Sequence, residues 1–292
     1  MKSALKKWYN AILIHRWDLG FIENPINGVL NGDDLRIRYV KYPFHGRWFA
    51  DPFILDYNED EIFLLVEDYS DADKKGKITK LQIDRKSMRL KDAKIILELD
   101  SHLSFPAIMR LDGKVFIYPE NSAGKGLALY EYDKKTDECR EIKVITREPL
   151  TDAIITSYFG RKQVFSTRGL DANKNVLEIF DLLENGDVSK TAQVVFDENI
   201  ARNAGDFFEH EGQLYRVAQE SNFTYGHALS IQQITKEGET VKMKEVRRIL
   251  PMNGAFGIHT FNKYGELTVV DLKVFRHPWI AKPLFRVRNL FK

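Results

Sequence analysis

A five-fold repeat limits what this chain can fold into more than any other feature. In each unit a polar residue opens a short apolar run, a turn rich in Gly or Asp follows, and a second apolar run ends on another polar residue. Asp51-Pro-Phe-Ile-Leu leads to Ile62-Phe-Leu-Leu-Val-Glu67, and Phe105-Pro-Ala-Ile-Met leads to Val115-Phe-Ile-Tyr-Pro-Glu120. Asp152-Ala-Ile-Ile leads to Val164-Phe-Ser-Thr167, Gly205-Asp-Phe-Phe to Leu214-Tyr-Arg-Val-Ala-Gln219, and Ile258-His-Thr-Phe to Leu267-Thr-Val-Val-Asp271. The units begin about 50 residues apart, a period typical of propellers and solenoids. Each reads as a hairpin followed by further strand-like sequence, such as residues 77–83 and 127–132. Four strands per unit, five times over, predict an all-β fold, a five-bladed β-propeller over residues 41–275. Five irregular hairpins of a sandwich would also fit the period, but the matched turns favour the propeller.

The flanks read differently. Residues 3–17 have amphipathic helical spacing, with Leu5, Trp8 and Ile12 on one side. Asn24-Pro25, Asn27-Gly28 and Asn31-Gly32 mark loops, and Leu35 to Tyr39 alternates like an edge strand. Residues 1–40 are therefore expected to be a helix and edge-strand extension. Residues 276–292 form a tail with five Lys/Arg and no acids, interleaved with Trp279, Phe285 and Phe291. Basic and aromatic residues at both ends would suit an anionic bilayer surface, or would pack on the propeller.

Composition removes several classes. A net charge of +2 gives no field for nucleic acid. The single Cys139 allows no internal disulfide and sits in no metal-ligand pattern. No cofactor or metal is expected. No stretch reaches the roughly 18 apolar residues of a membrane span. The run from Ala11 to Ile14 is too short for a secretory segment, so the expected location is cytoplasmic, peripheral at the inner membrane face.

In a propeller the first strand of each blade lines a central channel, and the strand starts converge at one mouth. The polar residues leading the repeats are Asp51, Ser104, Asp152, Asp206 and His259; those ending the second strands are Glu67, Glu120, Thr167, Gln219 and Asp271. Crowded buried carboxylates are costly unless paired, bonded or protonated, and such crowding separates their pKa values, as acid/base chemistry requires. The competing role for each acid is to satisfy backbone at a strand start, and for His259 to be a bonded core residue. Arg216 lies inside an apolar strand and needs a partner, in a channel a carboxylate or a phosphate. Trp48, Phe49, Tyr158 and Tyr225 are candidates for stacking on sugar faces.

Longer motifs carry a resemblance. Trp48-Phe-Ala-Asp51-Pro-Phe, His102-Leu-Ser-Phe-Pro106, Tyr118-Pro-Glu120-Asn-Ser, Ala201-Arg-Asn-Ala-Gly-Asp-Phe-Phe208, Leu214-Tyr-Arg-Val-Ala-Gln219-Glu-Ser and Tyr225-Gly226 together resemble the N-terminal domain of glucosamine inositolphosphorylceramide transferase. More remotely, the chain is similar to the five-bladed glycoside hydrolases of the arabinanase/xylosidase type. Those enzymes use a first-blade Asp as base, a second Asp as modulator and orienter, and a Glu as acid. The resemblance implies Asp51 as base and Asp152 as modulator. The fourth repeat departs from it: Arg202-Asn-Ala-Gly-Asp206 has no Glu, leaving Glu120 and Asp206 as substitute acids.

The resulting site expectation has Asp51, Asp152 and Glu120 in catalysis. Trp48, Glu67, His102, Ser104, Arg202, Asp206, Arg216, Gln219, Tyr225 and His259 would hold a sugar or activated-sugar substrate. Three functions fit: glycosyl transfer in glycolipid or surface-polysaccharide synthesis, glycoside hydrolysis, and non-catalytic sugar binding.

Overall fold

The computed structural model describes residues 15–44, 46–183, 187–238, 240–252, 254–275 and 280. Twenty strands form five four-stranded antiparallel sheets. The first blade comprises β3 (Arg47–Tyr57), β4 (Glu61–Ser70), β5 (Lys75–Asp84) and β6 (Leu90–Leu97). The second comprises β7 (Ser104–Leu111), β8 (Lys114–Glu120), β9 (Leu127–Asp133) and β10 (Glu138–Thr146). β11 (Leu150–Thr156), β12 (Gln163–Arg168), β13 (Val176–Leu182) and β14 (Val188–Val195) make the third. β15 (Phe208–His210), β16 (Gln213–Glu220), β17 (Ala228–Glu237) and β18 (Thr240–Ile249) make the fourth.

The fifth blade draws on both ends of the chain, in the order β19 (Gly257–Tyr264), β20 (Leu267–Phe275), β1 (His15–Ile22) and β2 (Ile37–Tyr39). β1 runs antiparallel to β20 from His15 opposite Phe275 to Phe21 opposite Val269. This corrects the expected boundary, because residues 15–39 belong to the propeller. Residues 15–17 are strand where a helix was expected, and residues 3–14 and most of the tail lie outside the described residues. A short helix, α1 (Ile26–Asn31), follows Pro25 and ends at Gly32, where loops were expected. The reason for the strand is burial: Trp17, Leu19 and Phe21 are 4%, 0% and 5% exposed. Each such side chain contributes about 1.5–3 kcal/mol on leaving water, more than helical spacing at a chain end supplies.

Inner strands are buried on both faces, which is why they read as continuous apolar runs. In β3, seven consecutive residues from Phe49 to Leu55 are buried, whereas β6 on the rim is mostly exposed. The core lies between blades as wedges. Phe53 of the first meets Phe105 of the second edge-on, and Phe165 of the third meets Phe207 of the fourth. Hairpins at Asp112-Gly113 and Glu211-Gly212 hold both residues at positive φ, as a two-residue turn with the strands' own twist requires.

Four of the inner strands carry a bulge near their start, between Ala50 and Phe53, Ser104 and Ala107, Thr151 and Ile154, and Ile258 and Phe261. Asp51, Phe105 and Asp152 occupy these bulges at φ 49°, 45° and 47°. The fourth blade instead begins with an irregular segment in which Asn203 makes one bridge to Ala218. Gly205 lies there against the Phe261 backbone, and a Cβ would drive into that carbonyl oxygen. Gly205→Ala is expected to lower unfolding free energy by about 1–3 kcal/mol, read as a lower urea midpoint with an unchanged slope. An unchanged midpoint would show that the two blades are not in close contact there.

Candidate active site

The extra residue of a bulge has no ladder partner, and in the first three blades the carboxylate of a neighbouring blade takes its N–H. The Asp51 amide donates to Asp271 Oδ2 at 2.9 Å, the Phe105 amide to Asp51 Oδ2 at 3.1 Å, and the Asp152 amide to Glu120 Oε2 at 3.0 Å. The acids therefore recur because they join blades, and the same contacts gather them at one mouth.

Around Asp51 the network handles protons. Asp271, fully buried, accepts from the amides of His259 and Thr260 at 3.3 and 2.9 Å and from His259 Nδ1 at 2.7 Å. With the Nδ1 proton held there, His259 Nε2 faces Asp51 Oδ1 at 3.4 Å, and the Thr260 hydroxyl donates to the same oxygen at 2.8 Å. A second proton then resides on Nε2 or on Asp51. Burial pushes the Asp51 carboxyl up to about 6; His259 pulls it down, and the Asp152 and Asp271 charges add to the rise. His259 is itself raised: its burial acts downward, but the Asp271 and Asp51 charges outweigh it. Trp17 stacks on the imidazole at 3.7 Å between centroids and fixes its plane.

The opposite side is an ion-paired cluster. Arg202 grips Asp152 through Nε to Oδ2 at 2.6 Å and Nη2 to Oδ1 at 3.2 Å, and Gln219 donates to Oδ2 at 2.8 Å. Glu120 lies 3.7 Å from Arg202 and accepts from the Ser122 hydroxyl at 3.0 Å. Burial pushes Asp152 up to about 7 against the pull of Arg202. On the first-blade side, His102 Nδ1 accepts from the Gly76 amide at 3.0 Å, which leaves its Nε2–H for Glu67 at 3.3 Å. Burial raises Glu67 despite this bond, and the bond raises His102. Trp48 stacks on Tyr69 at 4.6 Å, and Tyr69 adjoins His102, so the aromatic pair rims this side.

Nine expected residues thus share one mouth: Asp51, Glu67, His102, Glu120, Asp152, Arg202, Gln219, Tyr225 and His259. Register corrects two alignments. Phe105, not Ser104, is the counterpart of Asp51, and Ser104 lies one residue earlier opposite Glu120. Leu272, not Asp271, pairs as Glu67 does. Asp206 does not join the group. It bonds to the Phe207 amide, its charge is felt by Tyr118, Tyr158 and Arg110, and burial pushes it up to about 7. Tyr158 sits on the β11–β12 turn, at the far end of the channel, and Phe49 is fully buried, so neither can stack on a ligand at the mouth.

Arg216 also departs from expectation. Its partners are neutral: Asn203 Oδ1 at 2.8 Å, Gln232 Oε1 at 2.7 Å and the Ala201 carbonyl. Burial lowers it to about 9. By holding residues 201 and 203 it positions Arg202 between them. Asn203 extends the brace, donating to the Asp152 and Phe165 carbonyls. Sequence reasoning missed Trp17, Thr260, Asn203 and Lys273; the adjacency of Thr260 to His259 was the one available signal.

Asp51, His259 and Asp271 each offer a ligand atom within 4.8 Å of the others. Both Asp271 oxygens are committed to amides and His259, so the trio fits a proton network better than an ion. Asp51, Asp152 and Glu67 are raised, so the folded state holds more protons than the unfolded one above pH 4. Their stabilisation is full at low pH and is lost as pH rises through about 6 and 7; raised His259 acts in the same direction. Stability is expected to fall by about 1–3 kcal/mol between pH 5 and 8, and Asp51→Asn with Asp152→Asn to flatten the fall. Urea midpoints that rise over this window would refute the assignment.

Comparison with known proteins bears on the family and the fold. Curated relatives named glucosamine inositolphosphorylceramide transferase 1 are 27% identical over 212 residues in Oryza sativa subsp. japonica and 28% identical over 208 residues in Arabidopsis thaliana. The matches cover 70% and 68% of this chain but 28% and 26% of those proteins, so the chain spans about a quarter of their length. Among solved structures, a thermostable family-43 glycoside hydrolase superposes with TM-score 0.52 at 15% identity, over 80% of this chain and 91% of that one. The β-xylosidase/α-arabinofuranosidase CoXyl43 from a compost metagenome gives 0.51 at 10% identity, over 75% and 82%. These two likenesses establish the five-bladed fold. The profile of the family described as glucosamine inositolphosphorylceramide transferase 1, N-terminal, matches residues 36–274, and the chain belongs to that family.

Proposed function

We propose that the protein takes part in glycosyl transfer in glycolipid or surface-polysaccharide synthesis, using an activated sugar bound at the mouth. The observation that carries this reading is that the fourth blade brings Arg202, not a carboxyl group, to the mouth. Asp51 is backed by His259 and Thr260, and burial pushes its carboxyl up to about 6, towards the range that suits a group taking a proton from a hydroxyl. In the segment that opens the fourth blade Arg202 reaches the mouth, whereas Asp206 accepts from the Phe207 amide away from the group. Hydrolysis of a glycoside needs an acid to protonate a poor leaving group. A phosphate-activated donor does not, and requires positive charge at the departing phosphate. The Arg202 guanidinium therefore favours transfer over hydrolysis.

In this reading Asp51 takes the proton of the acceptor hydroxyl as it attacks the anomeric carbon. The His259–Asp271 pair stabilises the charge state of Asp51. Asp152 orients Arg202. A second reading, sugar binding alone, draws on the stacked Trp48–Tyr69 pair at the rim. Asp51→Asn separates them, since the amide oxygen can still accept the Phe105 N–H. Transfer from nucleotide- or lipid-linked sugars is expected to fall by about 10²–10⁴ with ligand affinity retained. Sugar binding without any product in the intact protein would leave the binding reading, and release of free sugar from simple glycosides would replace transfer by hydrolysis.

A further inference from the structure

A second buried cation borders the mouth and has no role in the proton network. Lys273, on β20, is 7% exposed. Its Nζ donates to the Tyr225 carbonyl at 3.2 Å and, among the described residues, forms no ion pair. Three rings surround it instead: Trp17 at 5.4 Å, Tyr225 at 5.6 Å and Phe256 at 5.6 Å. Aromatic faces return only part of what an ammonium loses on leaving water. Burial lowers the ammonium to about 8, so it is still charged at pH 7, where an anion beside it would offset the rest.

Tyr225 joins this lysine to the described site. Its ring lies 5.1 Å from the Arg202 guanidinium carbon and 5.4 Å from the His259 ring. Three cationic or proton-bearing groups therefore surround one phenol that is 37% exposed. Donors remain free on both cations. Arg202 commits three N–H groups, two to Asp152 and one to Asn173, out of five, and Lys273 commits one of its three. Gly226 and Gly257 hold this arrangement closed. A Cβ on Gly226 would press on His259 and Trp17, and one on Gly257 would meet the Gly226 carbonyl and the Lys273 stem.

We propose that Lys273 and Arg202, 5.6 and 5.1 Å from the Tyr225 ring, form a subsite for the phosphoryl group of an activated sugar donor. The subsite rests on the transfer reading for its ligand but not for its existence. Lys273 binds a phosphoryl oxygen through its free N–H groups, and Arg202 binds a second while still oriented by Asp152. Asp51, on the far side of His259, is left for the acceptor hydroxyl.

Inorganic pyrophosphate is the probe, titrated at pH 7 against the full chain and followed by tryptophan fluorescence, to which Trp17 beside Lys273 contributes. A saturable change is expected in the unaltered protein. Lys273→Met and Lys273→Gln are each expected to weaken binding at least ten-fold, and Lys273→Arg to stay within about three-fold. Lys114→Met, at an exposed outer turn, is expected to have no effect. Absence of binding, affinity unchanged in both neutral variants, or an equal loss in Lys114→Met overturns the subsite. Lys273-dependent binding in a protein that turns over no sugar donor upholds the subsite and removes only the transfer reading.

Discussion

Three of the four bulges depend on a carboxylate from a neighbouring blade, and the fourth, in the last blade, on Asp271 of its own. A buried N–H without an acceptor costs about 1–3 kcal/mol, and four inner strands carry such a bulge. Asp271 serves the first blade, Asp51 the second and Glu120 the third. Between the fourth and fifth the device is an amide: Asn262 accepts from the Asp206 N–H and donates to the Pro52 carbonyl of the first blade. These bonds run around the ring, so the acids at the mouth are fixed by backbone they help to hold. A group positioned in this way cannot drift by the ångström that separates a working site from a loose one.

The two sides of the mouth use their acids differently. Asp51 and His259 share a proton, because burial resists separate charges and Asp271 holds the Nδ1 proton of His259. Asp152 faces a permanent cation, Arg202, which opposes the rise that burial causes, and Glu120 lies beside the same cation. Arg216 keeps the sides distinct without touching the channel, since its bonds to the Ala201 carbonyl and Asn203 leave residue 202 one orientation.

Much of this was legible in the sequence. Inner strands buried on both faces produce unbroken apolar runs, and five of them with turn signals identify a propeller. Bulge register was not legible, because one inserted residue shifts every partner; hence Ser104 stood in for Phe105 and Asp271 for Leu272. The partners of Arg216 were misjudged because an arginine inside a strand reads as ionic, whereas amide and carbonyl oxygens can satisfy it. Asp206 looked equivalent to Asp51 only while the irregular start of the fourth blade was counted as a regular strand. Trp17 was concealed by helical spacing at a chain end whose burial is set by β20, some 250 residues away.

Closure of the ring by β1 against β20 has a topological consequence. His15 pairs with Phe275 at the same end of the fifth blade as Trp17 and Lys273. The backbone therefore arrives and departs side by side at the rim of the mouth. A segment joined directly to β1 or β20 would begin beside the site, where its effective concentration is high. The propeller is in this sense a hub whose two leads converge on the place where its charged residues are gathered.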